Sequence, residues 1–144
     1  MNAEQKRLVR ETFNQVVPIK DQAAAMFYNR LFELDPTTRP LFKGDMKRQG
    51  DLLMAMIATA VNGLDRLDEI VPAVQALGRR HVGYGVRNEH YATVGSALLW
   101  TLERGLGPSW TPQVKEAWTV CYTLLANVMQ EAAREQGAAG SASH

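Results

Sequence analysis

His81 is the residue in this chain best placed to do chemistry. It sits in the run Leu77-Gly78-Arg79-Arg80-His81-Val82-Gly83-Tyr84-Gly85-Val86. Counted back along a helix, Leu77, Val74 and Ile70 share its face, whereas Arg79 and Arg80 do not. An imidazole is therefore carried on the apolar side of an amphipathic helix that Gly83 and Gly85 bring to an end. A buried imidazole needs partners for both ring nitrogens. Two arrangements supply them. One is a core histidine bonded to the backbone. The other is a metal ligand, with one nitrogen oriented by a carbonyl and the second on the metal. This segment alone leaves both open. The one cysteine, Cys121, excludes an internal disulfide and any cysteine-built zinc or iron–sulfur site. Its apolar neighbours point to a buried, inert thiol.

The elements that must position His81 are nearly all helical. Strand-like alternation is absent, and turn signals are too sparse for a sheet protein. Leu8, Val9, Thr12, Phe13 and Val16 form the face of a first helix that stops near Pro18. A second runs from about Ile19 to Leu34, with Ala24, Phe27, Tyr28 and Leu31 at helical spacing. Asp35-Pro36 opens a short third helix that ends near Pro40-Leu41-Phe42, proline being favoured at the first helical position. A long helix from roughly Met46 to Val61 carries Gln49, Leu53, Met56, Ile57 and Ala60 on one side, and Asn62-Gly63 breaks it. The His81 helix begins around Leu67 to Val71. Another starts near Asn88, with Tyr91, Val94, Leu98 and Leu102 in register, and ends at Gly105-Leu106-Gly107-Pro108. Thr111-Pro112 reads as an N-cap with proline behind it. The last helix bears Val114, Trp118, Cys121, Leu125 and Val128. A single domain over residues 1–136 is expected, followed by a small, polar, flexible tail at 137–144.

Composition narrows the function classes. The chain has 144 residues, 46% hydrophobic and 22% charged, enough for one substantial core. Sixteen basic and fifteen acidic side chains are interspersed to a net charge of +1, which is no nucleic-acid footprint. No stretch approaches a membrane span, and Met1 to Lys6 lacks the apolar core of a signal peptide. A cytoplasmic protein with neither membrane nor nucleic acid as partner is expected.

Several ordered motifs together carry a family resemblance. Phe27-Tyr28-Asn29-Arg30-Leu31-Phe32 is followed by Asp35-Pro36 and by Pro40-Leu41-Phe42. Gly78-Arg79-Arg80-His81 leads through Gly85-Val86 to His90-Tyr91-Ala92-Thr93-Val94-Gly95, and Ala117-Trp118-Thr119-Val120-Cys121-Tyr122 lies in the last helix. In this order and spacing, over about residues 3–133, the chain resembles the single-domain bacterial globins, relatives of neuroglobin and of bacterial haemoglobins. The resemblance implies an all-α, three-on-three helical sandwich enclosing haem b. It implies that His81 is the proximal iron ligand, with its Nδ1–H donating to a carbonyl near Leu77. Many globins place a serine one residue earlier. Here that residue is Arg80, which is suited to a haem propionate. Phe42 takes the place of the aromatic ring that stacks on porphyrin. Leu53, Leu77, Val86, Tyr91, Val94 and Leu98 take cofactor-lining places. Tyr28 and Gln49 fall at the two distal places that face a ligand.

These residues imply reversible binding of dioxygen, with carbon monoxide and nitric oxide as further ligands. A phenol O–H and an amide N–H aimed at a partly anionic dioxygen would slow its release. Neuroglobin-like closure of the iron site needs a distal histidine, and neither His90 nor His144 lies near Gln49 in the resemblance. The alternative is a nitric oxide dioxygenase served by a separate reductase, since the chain has no dinucleotide fingerprint and no room for a reductase domain. Flavohaemoglobins place a tyrosine and a glutamate behind the proximal histidine. Tyr91 matches the tyrosine, but the glutamate place falls on Ala133. A dedicated enzyme is therefore not the first expectation, and no residue is assigned a catalytic role. Noncovalent haem attachment is expected because no Cys-x-x-Cys-His run exists. A monomer or weak homodimer is expected.

Overall fold

The structure is a computed structural model. It describes the backbone of every residue except Lys43, Tyr84, Gly85, Ser143 and His144, and the side chains of all but these, Gly83 and residues 135–142. Among the described residues there are six long helices: α1 (Ala3–Val16), α2 (Lys20–Leu34), α3 (Met46–Asn62), α4 (Leu67–Gly83), α5 (Asn88–Leu106) and α6 (Pro112–Ala142). Short 3-10 turns at Val17–Ile19, Pro36–Leu41, Leu64–Arg66 and Gly107–Ser109 join them. No strand occurs among the described residues. The helix ends follow the local chemistry read from sequence. Asn2 and Gln5 form a reciprocal capping box at α1. Asp45 caps α3 by accepting the Lys47 N–H, and Thr111 Oγ1 accepts the Val114 N–H at the start of α6. The segment from Pro36 is a 3-10 turn instead of an α-helix, because its second proline, Pro40, cannot donate to the ladder. The stop expected at Gly85 and the end of the tail, residues 143–144, lie outside the described residues. The backbone of α6 is helical as far as Ala142.

The helices stack in two layers. α1 packs on α3, and α2 on α5, which in turn meets α6. Between layers, α6 holds α1 and α4, while α2 holds α3. One core cluster gathers Val9, Phe13, Val16, Val61, Leu64, Leu102, Val114, Trp118 and Cys121 from α1, α3, α5, α6 and the Leu64–Arg66 turn. Cys121 is buried there, and burial pushes its thiol up to about 11, so it stays an unreactive thiol at neutral pH. A buried polar lock ties the first and last helices. Trp118 Nε1–H donates to Thr12 Oγ1 at 2.8 Å, and that hydroxyl donates to the Leu8 carbonyl at 2.6 Å. A second cluster, Phe27, Tyr28, Leu31 and Ala97, takes Phe32, Phe42, Met46, Leu53, Val94 and Leu98 against it.

Glycines set two of the closest helix crossings. At Gly50 a Cβ would lie 2.9 Å from the Ala24 Cβ, so α3 rests directly on α2. At Gly78 a Cβ would lie 2.7 Å from the Met129 Cα and 2.9 Å from its carbonyl carbon. The obstruction there is backbone, which cannot swing away as a side chain does. Gly78 precedes His81 by one helical turn, so this crossing fixes the height of the imidazole above α6. Gly78→Ala is expected to lower the unfolding free energy by about 1–3 kcal/mol through overpacking. Chemical denaturation measures this, and a loss below about 0.5 kcal/mol would show that α4 is not clamped at Gly78.

Candidate functional site

α3 and α4 are consecutive, yet they are held by different neighbours. α4 lies on α6, whereas α3 lies on α2 and α1. α3 and α4 make little contact with each other, and the space between them, the cleft, is where the resemblance implies the cofactor. On the α4 side stands His81, half-buried at the end of the helix. The Tyr91 hydroxyl lies 3.4 Å from its Nδ1, the nitrogen for which the resemblance implies a carbonyl near Leu77. The two rings are 6.2 Å apart at 55°. Tyr91 is anchored in turn, because the Tyr122 hydroxyl donates to its backbone carbonyl at 2.7 Å. Gly95 makes room for that tyrosine, since a Cβ there would come within 2.8 Å of the Tyr122 ring. A line of support thus runs from α6 through α5 to His81. Burial, with a smaller contribution from the neighbouring Arg80, holds the His81 imidazole below its ordinary 6.5. The neutral ring is thereby favoured. In the tautomer that donates Nδ1–H to Tyr91, the lone pair sits on Nε2.

The α3 side presents Gln49, Leu53 and Met56. Tyr28 crosses from α2, and its hydroxyl donates to the backbone carbonyl of Gln49 at 3.2 Å. Burial raises this phenol to about 12, so it remains a donor. Phe42 meets the Tyr28 ring edge-on at 5.1 Å, and Phe27 does the same from the other side at 5.1 Å. Phe42, Leu53, Val94 and Leu98 are gathered with Tyr28 in one apolar cluster. Leu77 is half-buried one turn before His81. Val86 is half-buried too, and its N–H donates to the His81 carbonyl at 2.9 Å. Arg80 is exposed beside the histidine.

Sequence reasoning passed over Leu52 and Val82. Leu52 is 54% exposed and Val82 39%, with Met56 at 38%. Leu52 lies three residues after Gln49 and four before Met56, so the same helical spacing that grouped Gln49 with Leu53 identifies it. Val82 directly follows the histidine. It had no such signal, because it lies off the stripe formed by Ile70, Val74, Leu77 and His81. His90 is buried at the start of α5. Its Nδ1 accepts the Arg87 N–H at 2.9 Å, which makes it a helix cap; its Nε2 has no hydrogen-bond partner among the described residues.

The donor set fits haem. It combines a neutral imidazole braced from behind, apolar side chains exposed on both facing helices, an aromatic ring at the corner and a cation at the rim. No cluster of three or more histidine, cysteine or carboxylate side chains among the described residues offers another metal site. Comparison with known proteins decides the family. Residues 25–129 match the family model described as Globin.

The chain belongs to the globin family.

It is 29% identical to neuroglobin of Danio rerio over 143 residues, covering 90% of each chain. It is 31% identical over 141 residues to a flavohemoprotein of Bacillus subtilis, covering 88% of this globin and only 35% of that protein. Among solved structures, a candidate nitric oxide dioxygenase of Rhodothermus marinus, engineered as a carbene transferase, superposes with a TM-score of 0.88 at 24% identity. The alignment covers 98% of this chain and 99% of that one. A bacterial globin of Campylobacter jejuni gives 0.80 at 22% identity, covering 93% and 97%. These structures share the globin fold, and the family is haem-binding. No described helix is long and apolar enough to cross a membrane.

If His81 is the ligand from the protein, His81→Ala should lose most of its haem on gel filtration and regain it when imidazole is supplied. Normal haem content with an unchanged ferrous spectrum in that variant would remove His81 from the role.

Proposed function

We propose that this globin binds haem b through His81 and takes up dioxygen reversibly, releasing it slowly because Tyr28 and Gln49 hold it. The observation that carries this reading is the contact between the Tyr28 hydroxyl and the backbone carbonyl of Gln49, 3.2 Å, which sets the phenol beside the α3 residue that bears the amide. Haem b, when bound, supplies a ferrous iron that accepts dioxygen, carbon monoxide or nitric oxide. The chain supplies everything else. His81 anchors from the α4 side, and Tyr91 keeps its ring from turning. Leu53, Leu77, Val86, Val94 and Leu98 keep water away, Phe42 packs at the corner, and Arg80 offers charge to carboxylates at the rim.

At 3.2 Å the Tyr28 bond is long for an O–H donor, whose usual distance is about 2.7–2.8 Å. A neutral bond of that kind is worth about 1 kcal/mol net, whereas one to a charged acceptor is worth about 1.5–3 kcal/mol. The Tyr28 phenol would therefore be free to leave the carbonyl for a partly anionic acceptor in the site, the chemistry that haem with dioxygen would supply there. Carbon monoxide gains less charge and recruits the phenol less. Because burial keeps Tyr28 protonated up to about 12, the donor persists across the physiological range.

A second reading, nitric oxide dioxygenase with a separate reductase, is favoured by one observation: the Tyr91 hydroxyl faces His81 Nδ1, the side from which flavohaemoglobins increase electron donation. Ala133 stands where their glutamate would complete the set. Steady nitrate production under continuous reduction would move the assignment to that enzyme. A cytoplasmic location and a monomeric or weakly dimeric state complete the proposal.

Tyr28→Phe keeps the ring and removes the donor. Stopped-flow measurement should show dioxygen leaving about ten-fold faster or more, equivalent to at least about 1.4 kcal/mol. Carbon monoxide should be affected less, and Gln49→Leu should act in the same direction. Wild-type release rates in both variants would end the account of slow release.

A further inference from the structure

Charge is unevenly spread over this nearly neutral chain. In sequence, residues 35–51 and 79–90, which include the start of α3 and the end of α4, hold seven basic and four acidic residues, while the remainder holds nine and eleven. Along these segments Arg39, Lys47, Arg48, Arg79, Arg80 and Arg87 are all exposed. Asp35 feels both Arg87 and His90, so the start of α5 adjoins the Pro36–Leu41 turn. From there an open hollow of about 530 Å³, bordered by Arg39, Phe42, Gly44 and Met46, continues to the start of α3. The start of α5, the Pro36–Leu41 turn and the start of α3 thus bring their cations into one neighbourhood, and Arg79 and Arg80 stand beside His81 near the end of α4; together they form one basic rim.

Three of the four acids in these segments are already engaged. Asp35 caps the Thr37 N–H, Asp45 caps the Lys47 N–H, and Glu89 pairs with Arg87 at 3.2 Å. Arg39, Lys47, Arg48, Arg79 and Arg80 have no ion pair among the described residues. On the α1 side the pattern differs: Lys6 and Arg10 meet Asp65, and Arg7 meets Glu4 and Glu11. Uncompensated charge of one sign around a cleft attracts a partner of opposite sign and orients its approach.

We propose that this rim is the docking surface for an acidic electron-transfer protein, which returns the oxidised globin to its ferrous form. The inference rests on the functional reading above. One electron passes from the reduced flavin or iron–sulfur centre of the donor to ferric iron, leaving the donor one electron oxidised; no group is transferred. A donor docked there would bring its centre close to the side of the molecule where His81 would hold the iron. The acids interleaved with the cations favour a protein surface of mixed charge over the uniform charge of a lipid surface.

The test is direct binding, with haem-loaded protein and an oxidised bacterial flavodoxin as the acidic probe, followed by calorimetry. Dissociation constants should weaken by about ten-fold or more between about 20 and 200 mM salt, as exposed charges are screened. Arg48→Glu together with Arg79→Glu should weaken binding about ten-fold or more at low salt. The same charge change made away from the rim, Lys20→Glu with Lys115→Glu, should cost less than about two-fold. Circular dichroism and haem absorption check that each variant is folded and loaded. Equal losses in the two pairs, binding insensitive to salt, or no binding at low salt would overturn the docking surface. So would binding to phosphatidylglycerol vesicles without binding to flavodoxin, which assigns the rim to lipid. Failure to take up haem at all would strike the functional reading instead.

Discussion

Everything at this site depends on the approach of α4 to α6 at Gly78. The two backbones come so close that no side chain fits between them. This contact pulls α4 toward α6 and away from α3, although a short 3-10 turn joins α3 and α4. On the opposite side Gly50 lets α3 settle onto Ala24 of α2. Two glycines thus hold the two walls of the cleft on different supports. α3 and α4 are thereby kept from packing on each other, and apolar side chains such as Leu52 and Met56 stay exposed on α3. A large planar apolar group is what such a space accepts.

Polar contacts then set what each wall does. On the α4 side, burial favours the neutral imidazole and the Tyr91 hydroxyl lies at Nδ1; when Nδ1–H donates to it, the lone pair is on Nε2. Tyr91 is itself tied down by Tyr122, whose own phenol is raised well above its ordinary value by burial. On the α3 side a protonated phenol rests on a carbonyl. The bond is long enough to be exchanged for a better acceptor. One wall is braced and the other is adjustable, which suits a site that holds its cofactor permanently and its ligand transiently.

Much of this was legible in the sequence. Helix ends are written in short-range chemistry, so Asp35-Pro36, Asn62-Gly63 and Thr111-Pro112 marked true boundaries. Helical spacing grouped Phe27, Tyr28 and Leu31, and all three are buried together. The motif order from Phe27 to Tyr122 pointed to the globin family, to which the chain belongs. What stayed hidden is long-range and depends on helix crossings. No local pattern says that Gly78 faces the Met129 backbone, or that Tyr28 donates to the carbonyl of Gln49. Nor does any say that Tyr122 anchors Tyr91 across 31 residues of chain. The basic rim was hidden for a related reason. Its cations come from two segments separated by more than twenty-five residues, and a net charge of +1 conceals them.

The central claim is that His81 alone ligates from the protein, and that Tyr28 and Gln49 stand opposite as hydrogen-bond donors. The visible absorption spectrum of the reduced protein, with no ligand added, tests it most directly. An amide and a protonated phenol are poor ligands for ferrous iron, so the account predicts a five-coordinate, high-spin spectrum that converts to six-coordinate on adding carbon monoxide. A low-spin, six-coordinate ferrous spectrum without added ligand would contradict it, because a second side chain would then occupy the place these donors are said to guard.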